Sequence, residues 1–246
     1  MGKSRQWSDE VAKMSSEERL DDAQRRINEV QIDLQAVIFQ HECNQLVCFS
    51  THLSDQIKGN EAALAFNMFR DNMMRGEILP LCAMWDAAAE NRNSIPSITM
   101  LLDDRHVLDL LVAKAVKNAN QHLPPKLTGW ALDISLRHTE KVVSERRSDV
   151  EQAIQQSDAV RRSEEQVALK KFRDANIAHA LDKETKQNVP DVNYQALTDI
   201  LSRTEPIVQS LWLGLAYTSR NWDQVHSMGK VAAEALWRNC SFVEGQ

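Results

Sequence analysis

Long apolar runs are missing from this chain. No stretch approaches the roughly 18 consecutive apolar residues that a membrane span requires. The opening Met1-Gly2-Lys3-Ser4-Arg5-Gln6-Trp7 has no apolar stretch of the kind that begins a secretory signal. Both absences point to the cytoplasm and away from a membrane. Turn-forming residues are scarce as well, with seven Gly and six Pro in 246 residues. A sheet protein of many short strands needs more of them, so the scarcity favours helix. Cysteine is thin: Cys43, Cys48, Cys82 and Cys240 are too few and too scattered for a disulfide framework. Reduced thiols are expected. His41, Cys43 and Cys48 do not have the two-residue gap of a zinc knuckle and no second pair follows, so the cysteines are read as buried helical residues and no metal is expected. There is no glycine-rich phosphate loop, no GxSxG elbow and no HExxH helix, which removes the commonest enzyme classes.

What is present is charge and helical periodicity. The balance of 29 basic and 35 acidic residues is 29 − 35 = −6, so the whole molecule is not an electrostatic trap for nucleic acid and any RNA contact must be local. The hydrophobic fraction, 43%, and the length suffice for a sizeable core without staples. The length admits one large or two small domains. We read residues 1–246 as a single elaborated helical domain, with 1–14 a flexible N-terminus.

From Ser15 onward Leu20, Ala23, Ile27, Val30, Leu34, Val37 and Ile38 step by three and four, one apolar stripe on a helix. Ser15 or Ser16 caps it, with Glu18 near the capping-box position. The stripe continues towards Gly59 as one very long helix or as two joined near Cys43. A second helical region runs from Glu61 to Ala89, with Leu64, Met68, Ile78, Leu81, Cys82 and Trp85 as its apolar positions and a kink at Gly76 and Pro80. A third starts at Ser94-Ile95-Pro96 and carries Leu101, Leu102, Leu108 and Leu111, and Asn118 to Gly129 is a loop. Between Gly129 and Pro190 neither Gly nor Pro occurs, so most of that stretch is helical, with a break or an overhanging arm expected near Gln155 to Asp158. Asp182 to Asn193 reads as a polar loop. Tyr194 to Thr218 and Trp222 to Cys240 are closing helices separated by Ser219-Arg220-Asn221. Trp85, Trp212 and Trp237 lie in apolar helical patterns and are assigned to the core.

One constellation carries chemistry. Along the segment ending in Arg173-Asp174-Ala175-Asn176-Ile177-Ala178-His179, the apolar Leu169, Phe172, Ala175 and Ala178 are three apart, beside a polar row of Arg173, Asn176 and His179. On a regular helix Arg173 and His179 stand about 120° apart around the axis and about 9 Å apart along it. Their tips converge only if the helix ends or tightens near Ala178, or if a second subunit brings its own copies across a two-fold axis. The bland alternative is a surface arginine and a helix-end histidine favoured by the dipole. The stretch Arg161 to Arg173 also holds five cations, Arg161, Arg162, Lys170, Lys171 and Arg173, against Glu164 and Glu165, a local 5 − 2 = +3.

The segment resembles the motif of the HEPN superfamily: an arginine, a polar neighbour, a short spacer and a histidine. Its flank, Phe172 to Asp182, is similar to the abortive-infection, AbiU-type group, with Ala180 inserted in that group's Ala-His-Leu-Asp ending. Trp85-Asp86 and Ile95-Pro96-Ser97-Ile98 to Leu101-Leu102-Asp103 resemble the same group more loosely. The resemblance implies an all-α, HEPN-like antiparallel helical bundle with long and additional peripheral helices. It implies metal-independent RNA cleavage in a phage-defence or toxin-antitoxin type system, without a cofactor, at the groove of a homodimer. His179 is then the general acid or base and Arg173 the stabiliser of phosphoryl charge. Asp174 orients one of them and Asn176 donates a further hydrogen bond, with Arg161, Arg162, Lys170 and Lys171 contacting RNA. An antitoxin or a nucleotidyltransferase-type protein is the implied partner. The competing reading is a non-catalytic HEPN-like binding or dimerisation module, because a fold by itself does not specify an activity.

Overall fold

In the computed structural model the described residues are 2–58, 62–121, 128–178, 193–238 and 240. Among them are ten α-helices, one π-helical turn and no strand, the all-α HEPN-like bundle expected from the three-four spacing. They are α1 (Gly2–Val11), α2 (Ser16–Phe49), α3 (Thr51–Ile57), α4 (Ala63–Met84), α5 (Ile95–Leu102) and α6 (Arg105–Gln121). After these come α7 (Trp130–Arg161), α8 (Glu164–Arg173), the π turn Asp174–Ala178, α9 (Tyr194–Ala216) and α10 (Trp222–Trp237).

The stripe on α2 is buried along its whole length, from Leu20 at 4% exposed to Ile38 at 0%. Each of its larger side chains contributes roughly 1.5–3 kcal/mol by leaving water. Of the two forms the sequence admits, the structure has two helices: α2, of 34 residues, ends at Phe49, and the break falls at Ser50, whose side chain caps α3, rather than near Cys43. Ser15 is the cap of α2. The Glu18 amide donates to Ser15 Oγ (3.2 Å) while the Ser15 amide donates to the Glu18 carboxylate (2.7 Å). That backbone bond, followed by the Ser15 hydroxyl, holds the Glu18 carboxyl below its ordinary value.

Several boundaries differ from expectation. Residues 2–11 form α1, on which Trp7 and Val11 stand one turn apart and are both buried. The third helix divides in two: Asp103 closes α5, and the Asp104 carboxylate accepts from the amides of His106 (2.7 Å) and Val107 (3.3 Å), starting α6. The break in the glycine-free stretch comes at Arg162-Ser163, after α7, rather than at Gln155 to Asp158, where Ser157 is buried and the helix is packed. Helix α4 runs through Gly76 and Pro80. Leu64 and Met68 on it are 72% and 61% exposed. Phe66 and Met73, seven residues apart and so on another face, pack against the Val47, Leu53, Ile57, Ala233 and Trp237 cluster instead. Trp85 and Trp237 are core residues, whereas Trp212 is half-buried and donates to Asn28 Oδ1 (3.2 Å). Residues 122–127 of the expected loop Asn118 to Gly129, and 182–192 of the expected loop Asp182 to Asn193, lie outside the described residues.

The chain divides into two compact units: Met1–Gln31, Met84–Ser163 and Arg203–Arg220 form one, and Ile32–Ala83, Glu164–Ser202 and Asn221–Gln246 the other. In the first unit α7 packs on α5 and α6, and α1 on α5. The buried Arg26 ties down the turn before α5 by donating to the carbonyls of Ala89 (3.2 Å) and Glu90 (2.6 Å). Gly214 on α9 faces Val150 on α7 so closely that a Cβ would strike Val150 Cγ2. Gly214→Ala is therefore expected to destabilise the protein by about 1–3 kcal/mol in denaturant unfolding, and trimming the neighbour with Val150→Ala is expected to recover part of that loss. Equal stability of wild type and Gly214→Ala would contradict this packing.

Candidate active site

The motif lies in the second unit, at the end of α8. Leu169 and Ala175 are buried, as the apolar row requires, with Phe172 half-buried beside them. Helix α8 carries Glu164 and Glu165 in its first turn and Lys170, Lys171 and Arg173 in its last, the arrangement that complements a helix dipole. At Asp174 the helix changes form. It widens into a π turn through Ala178 rather than tightening, a distortion found frequently at functional sites.

Arg173 is drawn in rather than spread on the surface. Its side chain is 13% exposed, and its Nε (2.8 Å) and Nη2 (2.7 Å) both donate to Asp174 Oδ1. The carboxylate grips one edge of the guanidinium and fixes its plane. Asn176 Nδ2 donates to the Phe172 carbonyl (3.2 Å), so one amide hydrogen is engaged on the helix's own backbone. His179 lies outside the described residues.

The five cations are not equivalent. Arg161 and Arg162 sit at the end of α7, in the other unit, and share the Asp158 carboxylate at 3.1 Å and 2.9 Å. Counting from Asp158 to Asp174 adds two carboxylates, and the local balance falls to 5 − 4 = +1. Lys170, half-buried, and Lys171, exposed, make no ion pair with any described residue.

A second polar cluster in the same unit is not legible from motif spacing. His41 on α2 is buried, and its Nδ1 lies 2.7 Å from Oε1 of Glu77 on α4, itself fully buried. Asn44 Nδ2 donates to the other Glu77 oxygen and to the Met73 carbonyl (3.2 Å). Gln45 Nε2 is 2.9 Å from His41 Nε2, so with the amide as placed the imidazole proton sits on Nδ1 and faces Glu77. Tyr194, the first residue of α9, stacks on His41 at 5.2 Å and donates its hydroxyl to the His41 carbonyl (2.9 Å). Burial, then the Glu77 carboxylate, pushes the Tyr194 hydroxyl far above its ordinary value, so it remains a donor. The one sequence signal is the run of polar residues at His41, Asn44 and Gln45 on an otherwise apolar face. Spacing groups His41 with Cys43 and Cys48, but the structure pairs it with Glu77. Among the described residues no group of three His, Cys, Asp or Glu is placed to hold a metal ion, and no helix is long and apolar enough to cross a membrane.

Among the described residues the fold is that of an all-α, HEPN-like helical bundle. The family model described as AbiU2, a HEPN family, matches residues 20–235, and the chain belongs to that abortive-infection family. No curated protein and no solved structure matches it.

Proposed function

We propose that this abortive-infection HEPN protein is a metal-independent endoribonuclease whose site is built from Arg173, Asp174, Asn176 and His179. The observation that carries the reading is the Arg173–Asp174 pair, held at the point where α8 widens into a π turn. In the reaction the ribose 2′-hydroxyl attacks the adjacent phosphorus. The new 2′-oxygen–phosphorus bond forms as the bond to the 5′-oxygen breaks, leaving a cyclic phosphate and a 5′-hydroxyl. His179 takes the proton from the attacking hydroxyl or delivers one to the leaving oxygen. Arg173 neutralises the charge growing on the phosphoryl oxygens, and a guanidinium fixed on one edge by Asp174 meets that phosphate in a set orientation. Asn176 adds a hydrogen bond to the same oxygens. Lys170 and Lys171 hold the flanking phosphates.

Purified protein incubated with total RNA and a chelator is expected to leave fragments ending in cyclic phosphate. Intact RNA under those conditions counts against the reading. A homodimer supplies a second Arg173–His179 set at a shared groove, so light scattering at micromolar concentration is expected to give twice 28.0 kDa, and a monomer mass would remove the groove. The second reading, a non-catalytic module that dimerises or recruits an antitoxin or nucleotidyltransferase-type partner, is favoured by one fact. The Arg173 guanidinium is already neutralised within its own chain.

A further inference from the structure

The first unit contains a pocket of about 420 Å³ that the motif does not use. Three nearly buried leucines, Leu20 on α2, Leu111 on α6 and Leu215 on α9, are the aliphatic part of its lining. Its edge is polar and cationic. Lys114 and Lys117, one turn apart on α6, stand over it with the amides of Gln24 and Asn118. Lys114 pairs with Asp21 at 3.2 Å, while Lys117 is exposed and makes no ion pair with any described residue. Arg146 on α7 stacks its guanidinium 4.8 Å from the centre of the Tyr217 ring, which closes one side. The charged residues of the lining, Lys114 and Lys117, are thus both cations, in a chain whose net charge is −6.

Tyr217 itself is the second observation. It follows the last residue of α9 with φ 58°, the left-handed conformation that ends many helices and ordinarily falls to glycine. A bulky side chain persists in such backbone only where its surroundings hold it. Arg146 stacks on this ring, and Lys114 lines the same pocket. Burial raises the Tyr217 hydroxyl above its ordinary value, more than Arg146 and then Lys114 lower it, so it remains a hydrogen-bond donor. A concavity that joins leucines to converging donors can hold a small molecule, and its size falls within the range of such sites.

We propose that this pocket binds a small amphiphilic organic anion, its phosphate or carboxylate head between Lys114 and Lys117 and its apolar body against the leucines beside Tyr217. Two cations and a donor hydroxyl at the rim recognise the head. The leucines add affinity only if an apolar body accompanies it, so neither half alone suffices.

Titration calorimetry on the full chain, with 2-naphthyl phosphate, 2-naphthoate, neutral 2-naphthol and inorganic phosphate as probes, tests this. At least one of the two naphthyl anions is expected to bind once per chain, about tenfold or more tighter than naphthol or phosphate alone. Which one binds better identifies the head. Lys117→Glu and Lys114→Glu, both on side chains that reach solvent, are expected to weaken that binding about tenfold or more while helical circular dichroism is retained. The proposal is overturned if neither anion binds below about 1 mM, if naphthol or phosphate alone matches them, or if both lysine variants bind as the wild type does.

Discussion

RNA cleavage by the His179→Ala protein is expected to fall by about 10²- to 10⁴-fold, the usual loss when a general acid or base is removed. The stability of the chain should change by only about 1 kcal/mol or less, because a catalytic side chain open to substrate contributes little to a core. Arg173→Ala should lose a comparable factor through the phosphoryl charge it no longer neutralises. Arg173→Lys should not restore it, because an ammonium keeps the charge but not the planar fork that Asp174 holds at Nε and Nη2. The losses should not add: residues acting as one unit behave non-additively, so the double variant should match the worse single one. Lys170→Ala, by contrast, should weaken RNA binding in a salt-dependent way with little change in the maximal rate. Wild-type cleavage by His179→Ala would refute the catalytic assignment, as would a variant that unfolds. The binding-module reading would then account for the motif.

The second large effect concerns stability. Glu77→Ala deletes the acceptor that both His41 Nδ1 and Asn44 Nδ2 use, inside a region where Glu77, His41 and Asn44 are all buried. Removing one partner from a buried charged cluster strands the others without water, at a cost of roughly 3–5 kcal/mol. For a chain of this size that corresponds to a fall in Tm of roughly 6–20 °C. Glu77→Gln keeps the shape and one acceptor oxygen and should cost less. His41→Leu with Glu77→Leu removes the whole requirement for partners and should be less damaging than Glu77→Ala alone. Calorimetric melting of the three variants checks the order. If Glu77→Ala melted within a degree or two of wild type, the cluster would not be the tie between α2, α4 and the start of α9 that its geometry describes.

The order of helices was legible because helix formation here is a local matter. The seven-position stripe of α2 buries along its length, Ser15 and Glu18 close a capping box, Ser94 caps α5 ahead of Pro96, and Asn221 caps α10. Each of these signals lies within four residues of what it controls. The arginine-aspartate pair was legible for the same reason, being adjacent in the chain and lying in a matched family segment.

Contacts between distant segments decided the rest. Residues 2–11 are helical because Trp7 and Val11 find burial. A run of cations reads as a +3 patch until Asp158 and Asp174, just beyond its ends, take three of the five into ion pairs. His41 reads as a neighbour of two cysteines until α4 brings Glu77 to 2.7 Å. The cationic pocket needs α2, α6 and α9 together, and Tyr217, which also lines it, sits in backbone that no propensity would assign to tyrosine. Spacing within a helix is set by a fixed rise and turn per residue, so sequence alone determines which residues share a face. What that face meets depends on elements tens of residues away, and only the packed chain brings them within reach.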